Sequence, residues 1–327
     1  MKGIWRNADC SLNSRVGLAL IVSALIIGTG GCRSESQPPV SPAALIKPAQ
    51  KQTTLLVSAA SSLTDVLNEI GTEFTKMHPD VIVHFNFAAS GVLEQQIEQG
   101  APVDVFASAS PKEMDALTKK NLIDSATRLD FASNRLVLIA PISSVPSDSS
   151  TGSSKSLTSW DDLQSPAVKR VALSNPTTVP SGRYAQETLT RRGLWDAVKP
   201  KCVFGENVRQ TLAYVVNGDA EAGIVFATDA AGKPGRIAGT TESKTESKIE
   251  SKADSSASGV RIVAEAVPGQ DHTPILYPAA VVGATMERDA AHTFVAYLQQ
   301  PTAQKILAQY GFGVAPPTGK TTNKSKP

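Results

Sequence analysis

Four places in the chain set small or hydroxylated residues directly ahead of a helical pattern. They are Ser61-Ser62 before LTDVLNEI, Ser90-Gly91 before VLEQQIEQ, Pro180-Ser181-Gly182 before RYAQETL, and Glu206-Asn207 before VRQTLAYVV. The first turn of a helix carries N–H groups without intrahelical acceptors and about half a positive charge, so several such starts aimed at one point form an anion site without any cation. Serine hydroxyls beside them add donors. Taken singly, each is an ordinary N-cap or turn; together they point to capture of an anion or small polar solute. The residues of bond-making chemistry are missing. There is no Gly-x-Ser-x-Gly elbow and no phosphate loop with Lys, and His78, His84, His272 and His292 are scattered without metal-ligand spacing. Neither an enzyme nor a resident metal or cofactor is expected.

The elements that must carry these starts alternate along the chain. From Thr54 the order is TTLLVSAA, SLTDVLNEIGTEFTKMHP, VIVHFNFAAS, GVLEQQIEQG and VDVFASAS, short β-rich runs between helical patterns. Later come strands RLVLIA, RVALSN, AGIVFA, GVRIVAEA and YPAAVVG, helices RYAQETLTRRG and VRQTLAYVVNG, and one last helix, AAHTFVAYLQQPTAQKILAQYG. Such alternation predicts an α/β protein with mainly parallel sheets covered by helices on both faces. In sheets of that kind ligands collect where helices begin, past the carboxyl ends of the strands.

Two stretches interrupt the rhythm, the Ser-rich run near 143–159 and a polar run near 232–259. In the second, the TESK-type repeat sets Glu242, Glu246 and Glu250 four apart, and Lys244, Lys248 and Lys252 likewise. A helix would stack like charges, so both stretches read as disordered surface insertions. At the start, Lys2, Arg6 and Arg15 precede an apolar run from Val16 to Ile27, too short to span a bilayer, and then Thr29-Gly30-Gly31-Cys32. This predicts a signal peptide over 1–31, lipid on Cys32 and a flexible tether over 32–52, with a polar tail over 316–327. The basic and acidic counts, 32 and 30, leave no charge excess for nucleic acid. Aromatic residues are 5% of the chain, against a stacking or sugar-binding surface.

The segments AASSLTDVLNEI, FAASGVLEQQIEQGAPVDVFASAS, NPTTVPSGRYAQETL, ENVRQTLAYVVNGDAEAGIVFATDA and YPAAVV, in this order and spacing, resemble the periplasmic molybdate-binding proteins of ABC transporters. The resemblance runs from about Leu55 to Val314. It implies a two-lobe, type II periplasmic-binding-protein fold with a two-strand hinge, crossed near Arg135 to Ala140 and Tyr277 to Val282. One lobe would span 53–136 plus 276–315, the other 137–275. It further implies a monomer in the periplasm or cell envelope that binds molybdate or tungstate and delivers it to an inner-membrane permease. The alternative is a sibling for another tetrahedral oxyanion, such as sulfate or phosphate. The family's ligand contacts fall on Ser62 and Ser90 through hydroxyl and backbone N–H, on the backbone N–H of Ser181 and Val208, and on Phe226. Ser181 stands where Ala is usual and could add a donor. Phe226 stands where a Tyr donates its hydroxyl, and removes one. An all-neutral pocket gives Asp104, Arg183, Arg209 and His272 no ligand role, so they read as structural or surface groups.

Overall fold

The computed structural model describes residues 52–142, 157–232 and 259–316. The expected signal peptide, Cys32, nearly all of the tether, most of both insertions and nearly all of the tail lie outside the described residues. Leu157 to Ser159 lie inside. Leu157 is buried, and the N–H and hydroxyl groups of Thr158 and Ser159 all donate to Asp162. The Ser-rich insertion therefore ends earlier than expected, because these hydroxyls have a local carboxylate to hold them.

The chain opens with strand β1 (Thr53–Ala60), a 3-10 turn (Ser61–Leu63), helix α1 (Thr64–Met77), β2 (Val81–Ala88), α2 (Ser90–Glu98), β3 (Val105–Ala107), α3 (Pro111–Lys119) and β4 (Leu129–Asn134). Helix α1 buries Val66, Leu67, Ile70, Gly71 and Phe74, a 3.6-residue stripe. Gly71 lets it approach β2, where a Cβ would stand 2.7 Å from the Phe85 ring. Helix α3 begins at Pro111, with Ser110 as cap accepting from the Lys112 N–H.

After the single residue Arg135 the chain enters β5 (Leu136–Pro141), followed by β6 (Val171–Ser174), α4 (Pro180–Arg191), α5 (Trp195–Val198), β7 (Cys202–Gly205), α6 (Val208–Val216), β8 (Ala222–Phe226), α7 (Ala227–Ala231) and β9 (Val260–Glu265). It then returns through β10 (Ile275–Val281), α8 (Arg288–Tyr297) and α9 (Pro301–Gln309). The expected single last helix is two helices. Pro301 has no N–H to donate and forces Gln300 into an extended conformation, with φ −70° and ψ 151°, so the first helix ends and a second starts.

The strands form two five-stranded sheets of like design, β2-β1-β3-β10-β4 and β7-β6-β8-β5-β9. In each, three parallel strands meet a reversed one, β10 or β5, which pairs antiparallel on both sides. The protein is thus α/β with two lobes, each a sheet with its helices. The chain passes between them at Arg135 and again between Glu265 and Ile275. The second passage lies ahead of the expected Tyr277 to Val282, which sits wholly inside the first sheet except for its last residue. Arg135 and Glu265 pair at 2.8 Å where both passages leave the second sheet. Among the described residues no helix is long and apolar enough to cross a membrane.

Candidate functional site

The carboxyl ends of β1 and β2 in the first lobe, and of β6, β7 and β8 in the second, face one small cavity. It is lined by Ala60, Ser61, Ser62, Ala88, Ala89, Ser90, Ala109, Val179, Pro180, Ser181, Val208 and Phe226, none of them ionisable. The structure therefore brings Ser62, Ser90, Ser181, Val208 and Phe226 together from both lobes.

The serines are not caps. The residues ahead of the 3-10 turn, α2 and α4 are Ala60, Ala89 and Val179, which lack any side-chain acceptor. Each of these starts faces the cavity with first-turn N–H groups that no side chain satisfies. Only α6 has a side-chain cap at this site. Asn207 accepts from the Gln210 N–H at 3.0 Å, and Val208 comes ahead of that bond in the first turn.

Proton counting fixes what each hydroxyl can do. Ser90 Oγ accepts the Ala109 N–H at 3.1 Å, so its own proton remains for the cavity. Ser181 is the opposite case. Its Oγ lies 2.8 Å from Ser174 Oγ, which lies 2.8 Å from Thr211 Oγ1, which donates to the Asn207 carbonyl at 3.1 Å. Three bonds need three protons, and three hydroxyls supply three. The only consistent order runs Ser181 to Ser174 to Thr211 to Asn207, and the Ser181 proton is spent inside its own lobe. The extra donor expected of Ser181 is thus absent while this network holds. Gly182 makes room for the network, since a Cβ there would stand 2.2 Å from the Ser174 carbonyl oxygen.

The lobes meet around the cavity. The Gly91 N–H donates to the Thr178 carbonyl at 2.9 Å, and a Cβ on Gly91 would sit 2.7 Å from that oxygen. On one flank Arg183 of α4 reaches across to Glu113 at 2.6 Å and Ser110 at 3.1 Å. On the other, Arg209 of α6 lies 3.0 Å from Asp65 of the first lobe and 2.9 Å from Asp229 of its own. Burial works against the charged Arg209, but Asp229 and Asp65 outweigh it and hold its pKa above the ordinary value. Burial pushes Asp229 up to about 6, against the pull of Arg209. Asp104 ties Leu56 N–H to the Thr285 hydroxyl, and buried His272 contacts the Thr273 carbonyl through Nδ1. None of these charged or titratable groups, Asp104, Arg183, Arg209 and His272 included, lines the cavity.

Sequence reading missed three groups behind the lining. Tyr277 Oη lies 3.1 Å from Ser62 Oγ, and Asn134 Nδ2 donates to Tyr277 Oη at 3.0 Å and to Thr228 Oγ1 at 2.9 Å. Tyr277 stood inside the quoted YPAAVV segment, yet no local pattern links it to Ser62, 215 residues away.

Residues 55–313 match the model of a family described as bacterial extracellular solute-binding protein. The chain is 36% identical to molybdate-binding protein ModA of Escherichia coli (strain K12), over 80% of this chain and 89% of that one. It is 35% identical to YvgL of Bacillus subtilis (strain 168), a candidate ABC transporter substrate-binding lipoprotein, over 80% and 87%. Among solved structures, the periplasmic molybdate-binding protein of Azotobacter vinelandii superposes with a TM-score of 0.63 at 22% identity, over 80% of this chain and 100% of that one. At that identity the likeness speaks for the fold.

Proposed function

Since the chain belongs to the bacterial extracellular solute-binding proteins, we propose that its solute is molybdate, with tungstate equivalent, bound tightly and handed to the permease of an ABC importer. The observation that carries this reading is the convergence of uncapped helix starts from both lobes, with the Ser62 and Ser90 hydroxyls of the first, on a cavity without an ionisable lining residue. A dianion keeps its solvation there through fixed neutral donors, and a cation, which would hold other anions equally well, is not needed. The names of the relatives agree in kind. The residues assigned to the ion are Ser62 and Ser90 through hydroxyl and N–H, Ser181 and Val208 through N–H, and Phe226 by packing. The lobe limits 53–136 with 276–315 and 137–275 belong to the same proposal.

Calorimetric titration tests it. Molybdate and tungstate should bind at submicromolar concentration and sulfate far more weakly, because a smaller ion cannot reach all donors at once. Equal affinity for sulfate or phosphate overturns the molybdate assignment. Melting curves give a second reading, since a ligand at a hundredfold its Kd adds roughly 2.7 kcal/mol. Working as a monomer outside the cytoplasm, the protein would be held to the membrane by lipid on Cys32. A mature N-terminus other than lipidated Cys32 in mass spectrometry removes that part.

A further inference from the structure

The buried chain behind Ser62 has a direction that the structure determines. The Arg135 N–H donates to Asn134 Oδ1 at 2.8 Å, which identifies the amide oxygen and leaves Nδ2 as the donor to Tyr277 and Thr228. Tyr277 Oη therefore accepts from Asn134. Its own proton is fully buried and needs an acceptor, and Ser62 Oγ is the group in reach. Ser62 Oγ, accepting from the phenol, keeps its proton for the cavity it lines. The phenol ring cannot turn away. It is packed against Phe131, Phe226 and Phe312 at centroid distances of 6.3, 6.0 and 5.4 Å. Burial also holds the Tyr277 hydroxyl well above the ordinary tyrosine range, so it stays protonated.

We propose that Tyr277 and Asn134 are positioning residues that fix the Ser62 hydroxyl as a donor toward the bound oxyanion. The inference rests on the oxyanion reading above. It also relocates the phenol. Where Phe226 offers the ion a bare ring, Tyr277 serves it from the other lobe at one remove. Each hydrogen bond in such a chain polarises the next, so the Ser62 proton is a better donor than an isolated serine's. The chain starts at Asn134, the last residue before the passage between lobes, so the donor is set from the hinge.

Two measurements on the mature full chain test this. In protein labelled with ζ-13C-tyrosine and free of ligand, the Tyr277 hydroxyl proton should exchange slowly and show a cross-peak to the Ser62 β-protons. Fast exchange, or no such cross-peak, overturns the relay whichever ion the protein binds. The second is calorimetric titration with molybdate of the parent, Tyr277→Phe, Ser62→Ala and the double variant. Tyr277→Phe should weaken binding about ten-fold in the parent and leave affinity unchanged in Ser62→Ala, because it acts only through that hydroxyl. Equal losses in both backgrounds, or none in either, overturn the proposal. If Tyr277→Phe does not fold, Asn134→Leu is read in the same cycle. A parent that gives no heat with molybdate but shows the cross-peak refutes the choice of ion and leaves the relay standing.

Discussion

Each lobe brings helix starts to the cavity, but the two equip them differently. In the first lobe, Ser62 and Ser90 accept hydrogen bonds from behind and so have protons to give. In the second, the Ser181 proton runs inward through Ser174 and Thr211, and Phe226 has no hydroxyl, so that lobe faces the cavity with backbone amides alone. What the second lobe supplies instead is a hold on the first. Its Arg183 and Arg209 reach the first lobe at 2.6 and 3.0 Å from the two flanks. One lobe thus holds directional donors and the other brings amides and ionic clasps. If the proposed oxyanion binds here, a site split in this way would need its side-chain donors on only one face, with the other holding the lobes together.

The contrast is broken most strongly at the first lobe. Ser62→Ala and Ser90→Ala should each lose a hydrogen bond to a charged group, about 1.5 to 3 kcal/mol, or roughly ten- to a hundredfold in molybdate affinity by calorimetry. Unchanged affinity in both would reduce these serines to packing. Next in size, Phe226→Tyr should give the second lobe the side-chain donor it lacks and tighten binding about ten-fold. If the new hydroxyl misses the ion it is buried unpaired, and a lower melting temperature with no gain in affinity would show it.

A smaller, pH-linked effect belongs to the clasp. Asp229 has a folded-state pKa of about 6, raised by burial above the ordinary 3.8 of an aspartate. A raised pKa means that the native state binds more protons, so this carboxyl's contribution is fully present below 3.8 and is lost as pH rises through 6. Relative to Asp229→Asn, the parent's melting temperature should therefore fall as pH is raised across that window. Parallel profiles for the two proteins would refute the assignment. The least effect is expected at Ser181. Ser181→Ala should cost about 1 kcal/mol of stability and leave affinity alone, because its proton never reached the ion. A clear loss of affinity would mean that the inward network opens on binding.

These predictions rest on residues that differ in how far the sequence revealed them. Ser62, Ser90, Ser181, Val208 and Phe226 each sit at a strand-to-helix junction, a local feature, and their positions in the cavity were legible from pattern and resemblance. The direction of each hydroxyl was not. It depends on Tyr277 and Asn134 for Ser62, and on Ala109 for Ser90, contacts set by the folded sheets. Strand β4 also escaped notice. LDFASN alternates poorly and carries no β-branched residue, and it becomes a strand because β10 offers it a partner. Pro301 was visible, yet the apolar pattern on both sides of it suggested a single helix.

The contact between Gly91 and Thr178 carries a consequence for how size is judged. It is backbone against backbone, with an N–H to O distance of 2.9 Å and no side chain that could turn aside. In this structure the lobes therefore meet at a hard contact, like the jaws of a calliper held at one setting. The opening between the jaws is then a property of the protein and not of its guest. For the proposed oxyanion, an ion smaller than that gauge would leave donors hanging short of it, and a larger one would hold the jaws apart. Under that proposal, discrimination between ions of equal charge and shape would become a measurement of diameter.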